Sequence, residues 1–212
     1  MAQIACLHTA ASNIAVFEAA REKLGWPSGT LSHHVRADLF AEAEEAGDLT
    51  ETVAEHTRKA LEDLHKDFPA VLLTCSTLGP ALPCNSPAIL RADGALAEEA
   101  VRDGGRVAVI CAAPTTLQAT GNLFRNAAAK TGASIDIWWV DGAWDMFKAG
   151  EFDRYEQTIA EAADHARSSG AHQVALAQAS MTPAQAKTHI QPQPLSVPIA
   201  GLAAAGRLVG LV

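Results

Sequence analysis

VLLTCSTLGPA (71–81) and VALAQASMTPA (174–184) share one plan: a short apolar run, then small and hydroxyl-bearing residues, then Pro-Ala. A short apolar run bounded by turn formers is the pattern of a strand buried on both faces, as in a parallel sheet. The two segments lie 174 − 71 = 103 residues apart. A second pair, IACLHTAASN (4–13) and VAVICAAPTT (107–116), gives 107 − 4 = 103 again. Two pairs at one offset indicate an internal repeat. A third, PAILRADGALA (87–97) against PLSVPIAGLAA (194–204), needs an offset of 107, as a small loop insertion would produce. The chain therefore reads as two homologous βα halves, 1–103 and 104–200, with the helix at 201–212 completing the first.

Working outward, apolar runs alternate with longer amphipathic stretches, the pattern of an α/β fold with parallel sheets. Strands are expected at 3–8, 31–36, 70–75, 87–90, 106–112, 134–140 and 173–178. Helices are expected at 12–24, 50–65, 95–101, 114–130, 152–167 and 201–208. Gly25-Trp26-Pro27 stops the first helix, Thr50 is placed as the N-cap of the second, and Asp103-Gly104-Gly105 marks the turn where the pattern restarts. The fold class is thus two pseudo-symmetric, doubly wound βα domains.

The 212 residues include 16 basic and 24 acidic side chains, giving a net charge of −8, with 49% hydrophobic and 19% charged residues. That balance excludes a disordered acidic chain. It also carries no Lys/Arg stripe for a phosphate backbone, so no nucleic acid partner is expected. No apolar run approaches the roughly 20 residues that span a bilayer, and no membrane association is expected. MAQIACLHTAASN has no basic n-region, and Cys6, Cys75, Cys84 and Cys111 show neither CxxC nor metal spacing. Reduced thiols, a cytoplasmic location and no metal follow as expectations.

In open parallel sheets ligands sit at the carboxyl ends of strands, here the loops at 8–13, 75–79, 112–116 and 178–182. A cleft between the two halves would gather all four. Cys75 ends a strand where loop amides and a helix dipole favour an anion, so its thiol is expected to fall below the usual value and act as base or nucleophile. Most free cysteines are small buried hydrophobes, and Cys75 is weighed against that reading. Its neighbours Ser76, Thr77 and Gly79 are poor core formers, which favours function. Cys6 reads as packing, Cys111 aligns with His8 at a strand mouth, and Cys84 reads as a loop residue without chemistry.

His8 is a candidate acid/base or thiolate partner, or a residue that merely caps loop amides. Ser12 and Asn13 suit either ligand binding or N-capping, and Thr115 and Thr116 carry the same ambiguity. His33-His34 reads as an exposed strand pair rather than a cleft-edge pair, and Arg91 and Arg125, the basic residues that can be placed near the cleft, read as solvent-facing. Trp138, Trp139 and Trp144 fit core or interface packing.

TCSTLG after a buried strand, the duplicated halves, VAVICAAPTT and the terminal PIAGLAAA resemble the aspartate/glutamate racemase superfamily. That group includes glutamate, aspartate and hydantoin racemases, arylmalonate decarboxylase and maleate isomerase. The resemblance implies an enzyme of the isomerase class without cofactor or metal, acting on a small carboxylate through an enolate-like carbanion. Dimers are common in the family, so a homodimer is implied. Cys75 matches the first family cysteine and would be the catalytic acid/base, with His8. Asn13, Ser76, Thr77, Thr115, Thr116, Gln178 and Ser180 would bind the carboxylate. The second family cysteine should follow QVALA, where this chain has Gln178. With one thiol, three other readings stay open. They are a decarboxylase of a malonate-type acid, a cis–trans isomerase or hydrolase using Cys75 as nucleophile, and a non-catalytic carboxylate-binding relative.

Overall fold

The computed structural model describes residues 3–82, 87–189 and 191–211. The Cys84 reading lies outside these residues. In chain order the elements are β1 (Ile4–His8), α1 (Ser12–Lys23), β2 (Leu31–Val35), α2 (Ala37–Ala46), α3 (Glu51–Asp67), β3 (Ala70–Leu73), β4 (Ile89–Arg91) and α4 (Ala92–Val101). Then follow β5 (Arg106–Cys111), α5 (Leu117–Ala128), β6 (Ser134–Trp139), α6 (Ala143–Lys148), α7 (Phe152–Ser168), β7 (Gln173–Leu176), β8 (Leu195–Ser196) and α8 (Val197–Val209). Short 3₁₀ turns occupy Gly79–Ala81, Pro114–Thr116 and Ala179–Lys187.

The strands form two four-stranded sheets, ordered β2-β1-β3-β4 and β6-β5-β7-β8, and every pairing is parallel. The chain divides into two compact units, Met1–Ala95 with Pro198–Val212, and Leu96–Val197. The repeat is visible in the ladders. Ile4 lies opposite Ala70 in the first sheet and Val107 opposite Gln173 in the second, so both partners move by 103. The third sequence pair does not keep its spacing. Leu90 lies opposite Leu72 while Leu195 lies opposite Ala175, an offset of 195 − 90 = 105 rather than 107. Matching the prolines outside the strands had displaced that alignment by two residues.

Side-chain alternation along the central strands sets the layers. In the first unit Ala5, Leu7, Val71 and Leu73 pack with Leu39 and Ala43 of α2 and Val53 and Leu61 of α3. In the second, the equivalent Ala108, Ile110, Val174 and Leu176 pack with Tyr155, Ile159 and Ala163 of α7. The Thr50 hydroxyl accepts the Val53 amide at 3.3 Å, capping α3 as expected. α2 and α6 carry no capping side chain and were not expected; α2 forms because Leu39 and Ala43, four apart, share one buried stripe. α8 starts at Val197, earlier than expected, because Pro198 falls in the first turn, where its missing N–H costs nothing. Gly201 of α8 lets that helix lie against α4: a Cβ there would stand 2.7 Å from Ala92 Cβ. Among the described residues no helix is long and apolar enough to cross a membrane.

Candidate active site

The first unit presents Cys75 immediately beyond β3, in a loop that turns into the 3₁₀ segment at Gly79. Cys75 is buried, and it packs with Leu7, Leu73, Leu78 and Leu82. The Thr9 hydroxyl and the backbone amides of Leu78 and Thr77 favour a thiolate on its sulfur. Burial nevertheless dominates and pushes the thiol up from its ordinary value, with the Asp93 carboxylate adding to the rise. This corrects the expectation of a lowered thiol. The loop amides are aimed at the sulfur as anticipated, but desolvation of the anion outweighs them. Cys75 is therefore a protonated thiol surrounded by three donors ready to receive the thiolate.

Ser76 and Thr77 are buried in the same loop, and Ser76 O accepts the Gly79 amide at 3.2 Å. Arg91, at the end of β4, is not solvent-facing. Its guanidinium makes a two-pronged bond to the buried Asp93, at 3.0 and 2.8 Å, and lies flat on Gly79. A Cβ on Gly79 would come within 2.3 Å of Arg91 Nη2, so the close approach requires glycine. Arg125 is exposed, as expected. Asn13 is half-buried at the start of α1; Ala11 holds the N-cap position, so neither Ser12 nor Asn13 caps.

His8 belongs to the other face of the sheet. Two residues from Cys6 along β1, it packs its ring edge-on against Phe17 of α1, 5.2 Å between centroids. The Thr74 hydroxyl donates to Leu7 O at 3.0 Å and so accepts from His8 Nδ1 at 2.8 Å. The Nδ1 proton leaves His8 Nε2 as an acceptor, and His33 Nδ1 lies 2.9 Å from it. His33 Nε2 reaches Glu18 Oε1 at 2.9 Å, and Glu18 Oε2 accepts from Arg21 Nε at 2.7 Å. Burial, with the charges of His33 and His34, holds His8 down to about 3, so its ring is neutral. Although partial burial opposes it, bonds from His33 and Arg21 keep Glu18 below its ordinary value. His33 is thus an inward member of a network, its side chain 14% exposed, and not part of an exposed pair.

In the second unit Gln178 stands where Cys75 stands in the first. Thr74 N bonds Leu7 O, and Ala177 N bonds Ile110 O, both at 3.1 Å, so the preceding residues are equivalent. Gln178 Oε1 accepts the amides of Ala112 and Ala113 at 2.8 and 2.9 Å. Thr116 donates to Ala113 O at 2.8 Å within its own turn, Thr115 is half-buried beside it, and Ser180 bonds the Tyr155 hydroxyl at 2.9 Å. Burial pushes the Cys111 thiol up to about 12. Trp138 packs against the core and donates to Asp136 at 2.9 Å, Trp144 stacks on Phe147, and Trp139 is 40% exposed.

The structure thus brings Cys75, Ser76 and Thr77 together with Thr9, Arg91 and Asp93, three residues that sequence reasoning had not assigned. The β3–β4 register, Leu73 opposite Arg91, is the signal that would have placed Arg91 beside the Cys75 loop.

No protein-family model and no curated protein sequence matches the chain. Solved structures do. An aspartate racemase from Picrophilus torridus superposes with a TM-score of 0.74 at 12% identity, covering 98% of this chain and 94% of that one. A glutamate racemase from Bacillus anthracis gives 0.68 at 13%, covering 99% and 83%. An allantoin racemase from Klebsiella pneumoniae gives 0.68 at 14%, covering 100% and 89%. The resemblance carried by the Cys75 loop is therefore matched by a likeness of fold over the whole chain: two parallel-sheet units of the kind found in the aspartate and glutamate racemases.

Proposed function

We propose that this chain is a racemase-type enzyme acting on a small carboxylate through a carbanion, with Cys75 as the acid/base on one face of the reacting carbon. The observation that carries this reading is the buried Cys75 thiol with two amides and the Thr9 hydroxyl on its sulfur. A neutral thiol can deliver a proton, and three fixed donors stabilise the thiolate left behind without reorganisation. Ser76 and Thr77 supply hydroxyls for the substrate carboxylate, in the same loop. Asn13, Thr115, Thr116 and Ser180 remain candidate carboxylate contacts. His8 is proposed now as a positioning residue that holds Thr74, since its two ring nitrogens serve Thr74 and His33. The chain needs no resident cofactor for this step. A homodimer and a cytoplasmic location complete the reading.

A second reading has one observation in its favour: Gln178 occupies the position equivalent to Cys75, and a carboxamide neither takes nor gives a proton at neutral pH. One-sided protonation after loss of CO₂ from a malonate-type acid needs only one thiol.

Proton NMR in D₂O with chiral analysis separates the two, using amino acids, hydantoins, 2-substituted malonates and maleate. Deuterium uptake with inversion, reduced at least about 100-fold in Cys75→Ala, is the expected result. CO₂ release giving one deuterated enantiomer establishes the second reading. Binding without exchange or turnover on any compound points to a carboxylate-binding relative. Full activity in Cys75→Ala refutes both enzymatic readings.

A further inference from the structure

On the sheet face opposite Cys75, three potential metal ligands converge. Cys6 and His8 are two residues apart on β1 and so point the same way, and the parallel register sets His33 of β2 directly opposite Cys6. Cys6 Sγ and one nitrogen of each histidine all lie within 4.8 Å of one another. We infer that Cys6, His8 and His33 form a binding site for a thiophilic divalent cation, Zn²⁺ or its analogue Co²⁺, held by Cys6 Sγ, His8 Nε2 and His33 Nδ1.

The strongest support is the outer shell. Metal-bound histidines almost always donate the other ring N–H to a fixed oxygen. Both do so here. His8 Nδ1 is tied to Thr74, whose own proton is committed to Leu7 O, so Nε2 must present its lone pair. His33 Nε2 is tied to Glu18, and Glu18 is braced by Arg21, giving a carboxylate–histidine pair ahead of the cation. The nitrogen spacing is close to that of a tetrahedral site. Zn–N of about 2.0–2.1 Å and Zn–S of about 2.3 Å put tetrahedral nitrogens about 3.3 Å apart. His8 Nε2 and His33 Nδ1 are 2.9 Å apart, so the pair must open by about half an ångström.

Zn²⁺ would replace the Cys6 thiol proton and the proton between the two rings, releasing both to solvent. Cys6 and His8 are fully buried, and His33, 14% exposed, is the side from which the cation enters. A fourth position is left for water, as three-ligand zinc sites have.

Chelator-dialysed protein titrated with Co²⁺ should show a thiolate-to-cobalt charge-transfer band and intense four-coordinate visible bands, saturating at one ion per chain and bleached by Zn²⁺. Cys6→Ser should lose the charge-transfer band while Cys75→Ser and Cys111→Ser keep it. Glu18→Gln should weaken Co²⁺ binding about 10–100-fold. If Cys6→Ser fails to fold, His33→Gln removes the most exposed ligand and should abolish the tetrahedral spectrum. A pale octahedral spectrum in the wild type, or a charge-transfer band that survives Cys6→Ser, would overturn the assignment.

Discussion

Replacing Gln178 by Met isolates what its carboxamide does in the second unit. Met keeps the length and most of the volume of Gln but removes the oxygen that accepts the amides of Ala112 and Ala113 at 2.8 and 2.9 Å. Both alanines are buried, at 0% and 2% exposure, so water does not readily take the oxygen's place. A buried N–H left without an acceptor costs about 1–3 kcal/mol, and two give a loss of about 2–6 kcal/mol. For a chain of this size that corresponds to a fall in Tm of about 4 °C or more. Gln178→Glu keeps an acceptor for both amides and strengthens it with charge, so it should lose far less at pH 7. Urea unfolding followed by tryptophan fluorescence measures both variants. A loss under about 1 kcal/mol for Gln178→Met, or equal losses for Met and Glu, would refute the claim that the oxygen is what ties these loops together.

Gly79→Ala should displace the Arg91 guanidinium from Asp93, so its destabilisation and that of Arg91→Ala should be strongly non-additive in a double-mutant cycle; additivity within about 0.5 kcal/mol would contradict the packing described. Burial raises the Cys75 and Cys111 thiols above their ordinary value of 9.0 in the folded chain, the latter to about 12. The unfolded chain therefore loses these protons first, the folded chain binds more of them, and stability falls as pH rises above about 9. For Cys111 the slope approaches about 1.4 kcal/mol per pH unit between its unfolded and folded values; unfolding free energies that do not decline from pH 9 to 10 would argue against it. Thr50→Ala removes the α3 cap and should cost about 1 kcal/mol by urea unfolding, with Thr50→Ser restoring most of it.

The fold was legible because burial on both faces of a parallel strand leaves an unmistakable record. VLLTC, VALAQ, IACLH and VAVICA could be placed, and their common offset of 103 anticipated the register that repeats from sheet to sheet. Short amphipathic elements were harder. α6 has six residues and β8 two, too few for a period to register. At the site, the Cys75 loop stood out through composition. Its partners did not, because Thr9, Arg91 and Asp93 arrive from other elements and depend on register. The protonation of Cys75 departs from the sequence expectation for a related reason: sequence shows which amides can reach a sulfur, but the depth of the apolar shell around it is a tertiary property. His8 was drawn toward Cys75 by its place at a strand end. Alternation argued otherwise, since Leu7 shares the face of Cys75 and its neighbour His8 cannot.

The duplicated units show one backbone arrangement turned to two ends. In each, the loop after the third-position strand carries an acceptor that collects two buried amides. In the first unit the acceptor is the Cys75 sulfur, and its amides come from Thr77 and Leu78 of its own loop. In the second it is the Gln178 oxygen, two atoms further from the backbone, and its amides come from Ala112 and Ala113 after β5. The longer side chain thus ties one strand-end loop to another, where the thiol stays within its own. A cysteine at 178 would be too short to reach those amides. The difference between the two positions is therefore more than the absence of a thiol: the second unit has built its loop structure around the carboxamide. In the opposite direction, the face that carries His8, Cys6 and His33 in the first unit has no histidine counterpart in the second, where the residue equivalent to His8 is Cys111 and that equivalent to Cys6 is Val109. The repeat conserves backbone, while the chemistry on each sheet face belongs to one unit at a time.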